Sequence, residues 1–305
     1  MKFGIMAMQI GMLAPADRLS VDPIAHVAAF DHAALALHLH RAGFNPIELS
    51  GDLSLFFPQA FSPASVEGLA RLQRETAIRY TLHLPLWSVE PSTLQPPVRA
   101  GSVQAIIENI QHTLPLAPEM YVLHATGALA AEFYRMRLPD AAHAMILKQF
   151  QANAGQSIEK ILQETGIPSR KLAIETIEFP FDLTLELAER YDTSICLDTG
   201  HILSGFSGNV ELHEALERVQ PRLGEVHLHD SPRQRYPLIE YGKDHQPLGA
   251  GDLDTEALLN WLLEHGIENR IVFELTLEQA TASVNHIRAL RPNWVDDTED
   301  IKRLR

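Results

Sequence analysis

At 305 residues and 46% hydrophobic content, the chain has enough apolar material for one α/β barrel. A formal charge of −14, with no Lys/Arg cluster, excludes a surface that grips nucleic acid and disfavours an anionic membrane face. One cysteine, Cys196, rules out an intrachain disulfide and reads as small core filler, and no apolar run approaches transmembrane length.

Taken in chain order, the first apolar stretch runs from Phe3 to Leu13 and imitates a secretory leader. Gly4, Gln9 and Gly11 interrupt it, and only Lys2 precedes it, so it reads as the first strand, Phe3–Met8; a cytoplasmic protein is expected. Further short apolar runs predict strands at Pro46–Ser50, Tyr80–Leu86, Met120–Ala125, Lys171–Thr176, Ser194–Asp198, Gly224–Leu228 and Arg270–Leu275. Amphipathic patterns between them predict helices over about His26–Ala42, Pro63–Ile78, Val98–Leu114, Ala141–Thr165, Leu183–Tyr191, Glu211–Val219, Thr255–Glu264 and Leu277–Leu290. Gly43, Gly166 and Gly266 fall where helices should stop. Eight strand–helix units predict a closed (β/α)8 TIM barrel, one domain over 1–294, with 295–305 as a charged tail.

Six of the strands end on a metal-binding residue type: His83, His124, Glu175, Asp198, His227 and Glu274. Burying such groups gains the core nothing unless they are paired or coordinate a metal, and strand C-termini are where barrels of this kind keep reactive groups. Asp198-Thr199-Gly200-His201 follows strand six, where Gly200 is expected to permit a tight turn and return His201 over the mouth; a plain Asp cap with an exposed His is the bland alternative. In His227-Leu228-His229-Asp230, alternation puts both histidines on one face; His227, the deeper of the two, is the expected ligand, and His229 and Asp230 are expected to orient ligands or substrate. The segment from Ser231 to Gly251 is long enough to form a lid; in it His245 is a further ligand candidate, and Arg233 or Arg235 could hold an anionic group or be ordinary solvated arginines. His26, His32, His38 and His40 lie away from the strand ends and read as packing or surface residues. Glu48 could line the mouth but has no evident partner, and Asp182 is a candidate helix cap.

Leu82-His83-Leu84-Pro85, Val122-Leu123-His124, Ala173-Ile174-Glu175, Cys196-Leu197-Asp198-Thr199-Gly200-His201, Val226-His227-Leu228-His229-Asp230, Asp244-His245-Gln246-Pro247-Leu248-Gly249-Ala250-Gly251 and Phe273-Glu274 together resemble the xylose isomerase-like barrels. That superfamily includes endonuclease IV-type phosphodiesterases and sugar isomerases and epimerases. Its isomerases imply one divalent ion on Glu175, Asp198, His227 and Glu274, with His201 and Arg233 as substrate contacts. Its endonuclease IV branch implies three zinc ions, adding His83, His124, His201 and His245. Here Lys243-Asp244-His245 departs from that branch's Asp-x-His, which puts a full three-ion set in question unless Asp244 compensates. Tyr80–Leu86, Ser194–His201 and the run Glu175-Thr176-Ile177-Glu178-Phe179-Pro180-Phe181-Asp182 also look like the cobamide-remodelling phosphodiesterases, which implies cleavage at a phosphoribosyl linkage.

Two reactions compete. A hydrolase would hold two or three ions, most suitably Zn2+ for so many histidines, and cleave a phosphoester in a small molecule by metal-activated water, with Glu175, Glu274 and His201 catalytic and Asp244, His229, Asp230, Arg233 and Arg235 near substrate. An isomerase or epimerase would hold one Mn2+, Mg2+ or Co2+ and move a proton through an enediolate between Glu175 and Glu274. His83 and His124 have no task in the second scheme, so hydrolysis is the expectation. A non-catalytic sugar-binding barrel ranks last.

Overall fold

The computed structural model describes residues 1–7, 13 and 22–295. Eight parallel strands close on themselves in chain order: β1 Phe3–Met6, β2 Ile47–Ser50, β3 Tyr80–His83, β4 Tyr121–Leu123, β5 Leu172–Glu175, β6 Ser194–Asp198, β7 Leu223–His227 and β8 Ile271–Phe273. β1 seals the barrel against β8, with Phe3 beside Ile271 and Ile5 beside Phe273. Each strand is short and almost wholly buried, which is why it reads as a continuous apolar run rather than an alternating one. Among the described residues no helix is long and apolar enough to cross a membrane.

The helices pack their apolar faces onto the outside of the barrel in one large core, to which they contribute Leu39, Leu69, Ile106, Ile158, Leu216, Leu259 and Ile287. Several begin on a side-chain cap: Asp31 accepts from Ala34 N, Ser62 from Ser65 N, Asp254 from Ala257 N, and Thr276 and Gln279 form a reciprocal capping box. Gly43, Gly166 and Gly266 have positive φ, as expected for helix-ending glycines.

The predicted helix His26–Ala42 is two helices, Pro23–Ala28 and His32–Arg41, because Asp31 leaves helical geometry to cap the second. The predicted strand Tyr80–Leu86 ends at His83, since Pro85 cannot donate to a ladder. Arg270–Leu275 shrinks to β8, so Glu274 stands just beyond the strand. Helices at Leu53–Phe56, Ala128–Arg135 and Thr199–Leu203 add to the expected set. Asp182 is no cap: its helix starts at Phe181, and its carboxylate pairs with Arg218. The end of the first predicted strand at Met8, and the tail from 296 on, lie outside the described residues.

Inside the barrel, side chains of one phase stack in layers. The upper layer holds His83, Glu175, Asp198 and His227. Two residues earlier on the same strands come Thr81, Ala173, Cys196 and Glu225, joined by Glu48 of β2 beside Thr81. Met120, Val122, Ala173 and Cys196 form a small apolar plug, which is the filler role expected of the cysteine. Opposite the plug the same depth is polar.

Candidate metal centre

The six strand-end residues converge, joined by His201 and His245. Glu175 sits at the middle. Its Oε2 lies 3.1 Å from His83 Nε2 and 2.9 Å from His124 Nε2, while its Oε1 lies 3.4 Å from His227 Nδ1 and 3.6 Å from His201 Nδ1. Glu274 repeats the pattern: Oε1 is 3.3 Å from His227 Nδ1, and Oε2 is 3.2 Å from His245 Nε2. Three overlapping groups lie at the mouth, each with possible donor atoms within 4.8 Å of one another: His83, His124 and Glu175; Glu175, Asp198, His227 and Glu274; and Asp198, His201, His229 and His245; a fourth, Glu48, Glu225 and His227, lies beneath. Glu175 belongs to the first and second, and Asp198 to the second and third.

Hydrogen bonds behind the rings select the nitrogens that face inward. His83 Nδ1 donates to the Leu84 carbonyl at 2.9 Å, and His201 Nδ1 to the Thr176 carbonyl at 3.0 Å, leaving Nε2 of each with a lone pair. His245 gives its Nδ1 proton to Asp244 at 2.7 Å, a carboxylate–imidazole pair of the kind that orients a ligand. His229 differs. The backbone N–H of His245 donates to its Nδ1 at 3.0 Å, so the ring proton is on Nε2, where it goes to Asp198 Oδ2 at 2.8 Å. His229 therefore holds Asp198 in place and presents no lone pair to an ion. Asp198 Oδ1 meanwhile accepts from His201 N at 2.6 Å, so the cap and the donor are the same residue.

Charge agrees with this reading. Burial opposes ionisation of Glu175, but His124 and His227 hold its carboxyl well below the usual range. Glu274 and Asp198 are likewise drawn down to about 2 against burial, Glu274 by His227, Asp198 by His201 and His229. Burial would lower His83, yet Glu175 lifts it to about 9; Asp244 and Glu274 lift His245 to about 11 in the same way. A proton on an imidazole here stands in for a cation. Both ring nitrogens of His227 are buried without a hydrogen bond, which fits a group waiting for another partner. The donor set of histidines and carboxylates fits a divalent ion such as zinc.

Two clefts meet over these donors. The larger, ≈ 1130 Å³, has His83, His124, Glu175, His201, His245 and Glu274 at its base and Leu86, Trp87, Leu275 and Leu277 on its walls. The smaller, ≈ 640 Å³, is walled by Val89, Leu129, Ile177 and Phe206 and shares Leu86, Trp87, His124 and His201 with the first. Among the described residues, neither lining contains Lys or Arg.

The other candidates are placed elsewhere. Arg233 and Arg235 both reach Glu211 and line a separate surface crevice with Ile202 and Leu203, so the structure does not bring them to the donors. Asp230 is fully buried and accepts the backbone N–H groups of Gly249, Gly251 and Leu253, pinning the end of the long loop. Asp244 lies 3.8 Å from His201 Nε2 as well as against His245, close to where Lys243 departs from the expected motif. Gly200 carries no positive φ; a Cβ there would sit 2.1 Å from the His229 ring, so glycine makes room for that imidazole rather than a turn. His32 is a buried packing residue bonded to the Ala60 carbonyl, and burial pushes it down to about 4. Glu225, which the sequence reading does not single out, sits beneath His227 with Glu48. Its place two residues before a donor is the available clue.

Solved structures of similar shape include a D-tagatose 3-epimerase-like protein (TM-score 0.70, 17% identity, 96% of this chain and 98% of that one). Endonuclease IV from Thermus thermophilus matches at TM-score 0.63 and 18% identity over 86% of this chain and 94% of that one. A second protein of that organism, soaked with zinc chloride, matches at TM-score 0.59 and 17% identity over 96% and 98%. At such identities the likeness concerns the fold. No curated protein matches at the level of sequence. The family model of the xylose isomerase-like TIM barrel matches residues 37–293, most of the chain, and with the closed eight-stranded barrel it establishes that this protein belongs to that family.

Proposed function

We propose that the protein is a metal-dependent hydrolase of a phosphodiester in a small molecule. One observation carries the reading: Glu175 offers its two oxygens to two separate donor groups, His83 with His124 on one side and His227 on the other. A single-ion enzyme has no use for the first group. Divalent ions held there would supply Lewis acidity, activating water and neutralising the leaving oxygen. The chain's own residues position that chemistry: Asp244 orients His245, His229 orients Asp198, and Trp87 and Leu86 stand where the two clefts join. A diester with one arm in each cleft suits this shape, and uncharged arms suit walls without a cation. The cobamide phosphoribosyl linkage implied by the sequence resemblance is a diester of that description, and the proposed substrate is small rather than nucleic acid.

Metal content and turnover test the reading together. His83→Ala and His124→Ala should each remove one equivalent of bound Zn2+ and cut hydrolysis of bis(p-nitrophenyl) phosphate by about 100-fold or more. If both variants keep the wild-type ion count and rate, the hydrolase reading fails. A second reading, isomerisation or epimerisation, is favoured by one feature: Glu175, Asp198, His227 and Glu274 form a complete single-ion set, with both glutamates within 3.4 Å of His227 Nδ1. Solvent deuterium on a substrate carbon would select it.

A further inference from the structure

We propose that Glu48 is a positioning residue for the metal centre, acting on His227 from below. This rests on His227 being a ligand, as proposed above. Glu48 projects from β2 into the barrel interior and is fully buried. Its Oε2 accepts the Thr81 hydroxyl at 3.0 Å; its Oε1 makes no hydrogen bond and faces His227 Nε2 at 3.3 Å. Glu225 stands beside it, with Oε1 3.8 Å from the same nitrogen and 3.3 Å from the Thr81 hydroxyl.

Two carboxyl groups at this depth are costly in any barrel core. Apolar filler would serve the fold better, as it does across the same layer in Val122, Ala173 and Cys196. Among the described residues no Lys or Arg shares the group; His227 is the cationic partner within reach. The arrangement makes sense as a carboxylate–imidazole support. A carboxylate oxygen 3.3 Å from Nε2 favours the ring proton on that side and leaves the Nδ1 lone pair toward Glu175 and Glu274, both within 3.4 Å of Nδ1. A fixed negative charge behind the ring also strengthens its donation. His227 lacks the backbone carbonyl partner that His83 and His201 have, so Glu48 supplies what the chain itself supplies elsewhere.

Zn2+ and Co2+ titrations of the full chain test this, with the Co2+ visible absorption bands as a readout of ligand geometry. Glu48→Gln should weaken the affinity of the His227 ion about 10-fold, and Glu48→Leu about 100-fold, with the number of bound ions unchanged and the Co2+ bands shifted. The metal-free variants should melt no lower than the metal-free wild type, because a buried charge has been removed. A purely structural role predicts the reverse: a lower metal-free melting temperature with unchanged affinity and bands, and that result overturns the proposal. Loss of a whole ion in Glu48→Gln overturns it too, because Glu48 would then be a ligand of an ion shared with Glu225. Wild-type protein that binds no ion removes the underlying metal reading, whereas wild-type binding with indifferent Glu48 variants removes only this inference.

Discussion

Gly200 shows how a single side chain elsewhere dictates a backbone choice. The His229 ring that steadies Asp198 occupies the space a Cβ would need. Gly200→Ala should cost about 1–3 kcal/mol in chemical denaturation, as overpacked sites do. Combining it with His229→Ala should cost less than the sum of the two single changes, because the clash is then gone; strict additivity would show that the ring is not the obstacle. Protonation gives a second expectation. His83, lifted from 6.5 to about 9, stabilises the metal-free fold fully below pH 6.5 and loses that contribution as pH rises through about 9. An ion must displace this proton, so apparent Zn2+ affinity should increase from about pH 6 to about pH 9 with net proton release; calorimetry in buffers of different ionisation enthalpy reads it directly. Flat affinity across that range would mean that no proton on His83 is displaced. The strand-end donors are legible in the sequence because their phase is fixed by the strand. The Glu48–His227 contact is not, because it joins β2 to β7 across the barrel interior, and no local pattern encodes that pairing.

Elements divide along the same line. Buried parallel strands announce themselves as apolar runs, so all eight are legible, with ends misplaced where Pro85 and Glu274 leave the ladder. Thr199–Leu203 resembles a turn in sequence because five residues, all buried, show no amphipathic period. Ala128–Arg135 escapes the periodic pattern because a helix of eight residues opening on Gly127 carries little signal; its first N–H groups are satisfied instead by Glu90, remote in sequence. The long loop after β7 holds Arg233, Arg235 and Lys243, yet Asp230 grips its far end through three backbone N–H groups. Asp230→Ala should leave those donors without their acceptor, the Leu253 N–H of them buried, and cost about 3 kcal/mol. The loop should then be cut by trypsin at the three basic residues faster than in the wild type, as followed by mass spectrometry. Equal cleavage rates would show that the clamp does not govern the loop.

For the whole molecule, charge sets the company it keeps. A formal charge of −14, and two clefts over the donors with no Lys or Arg among their described lining residues, support the proposal of a small-molecule substrate over a nucleic-acid duplex. Fluorescence anisotropy should show no binding to duplex DNA at physiological salt, and a salt-dependent complex would refute the proposal of a small-molecule substrate. Barrel closure itself is legible from eight repeated units, whereas the two-armed mouth is not, since its walls come from loops far apart in the chain.

The pairing of β1 with β8 has a consequence during synthesis. A growing polypeptide emerges from the ribosome with its first strand lacking a neighbour on one side until the eighth arrives. Glu274 follows that strand immediately, so the last carboxylate of the central donor group is delivered by the event that seals the cylinder. If that group holds a cation as proposed, loading would wait for completed chains, and a truncated product would lack the finished trap.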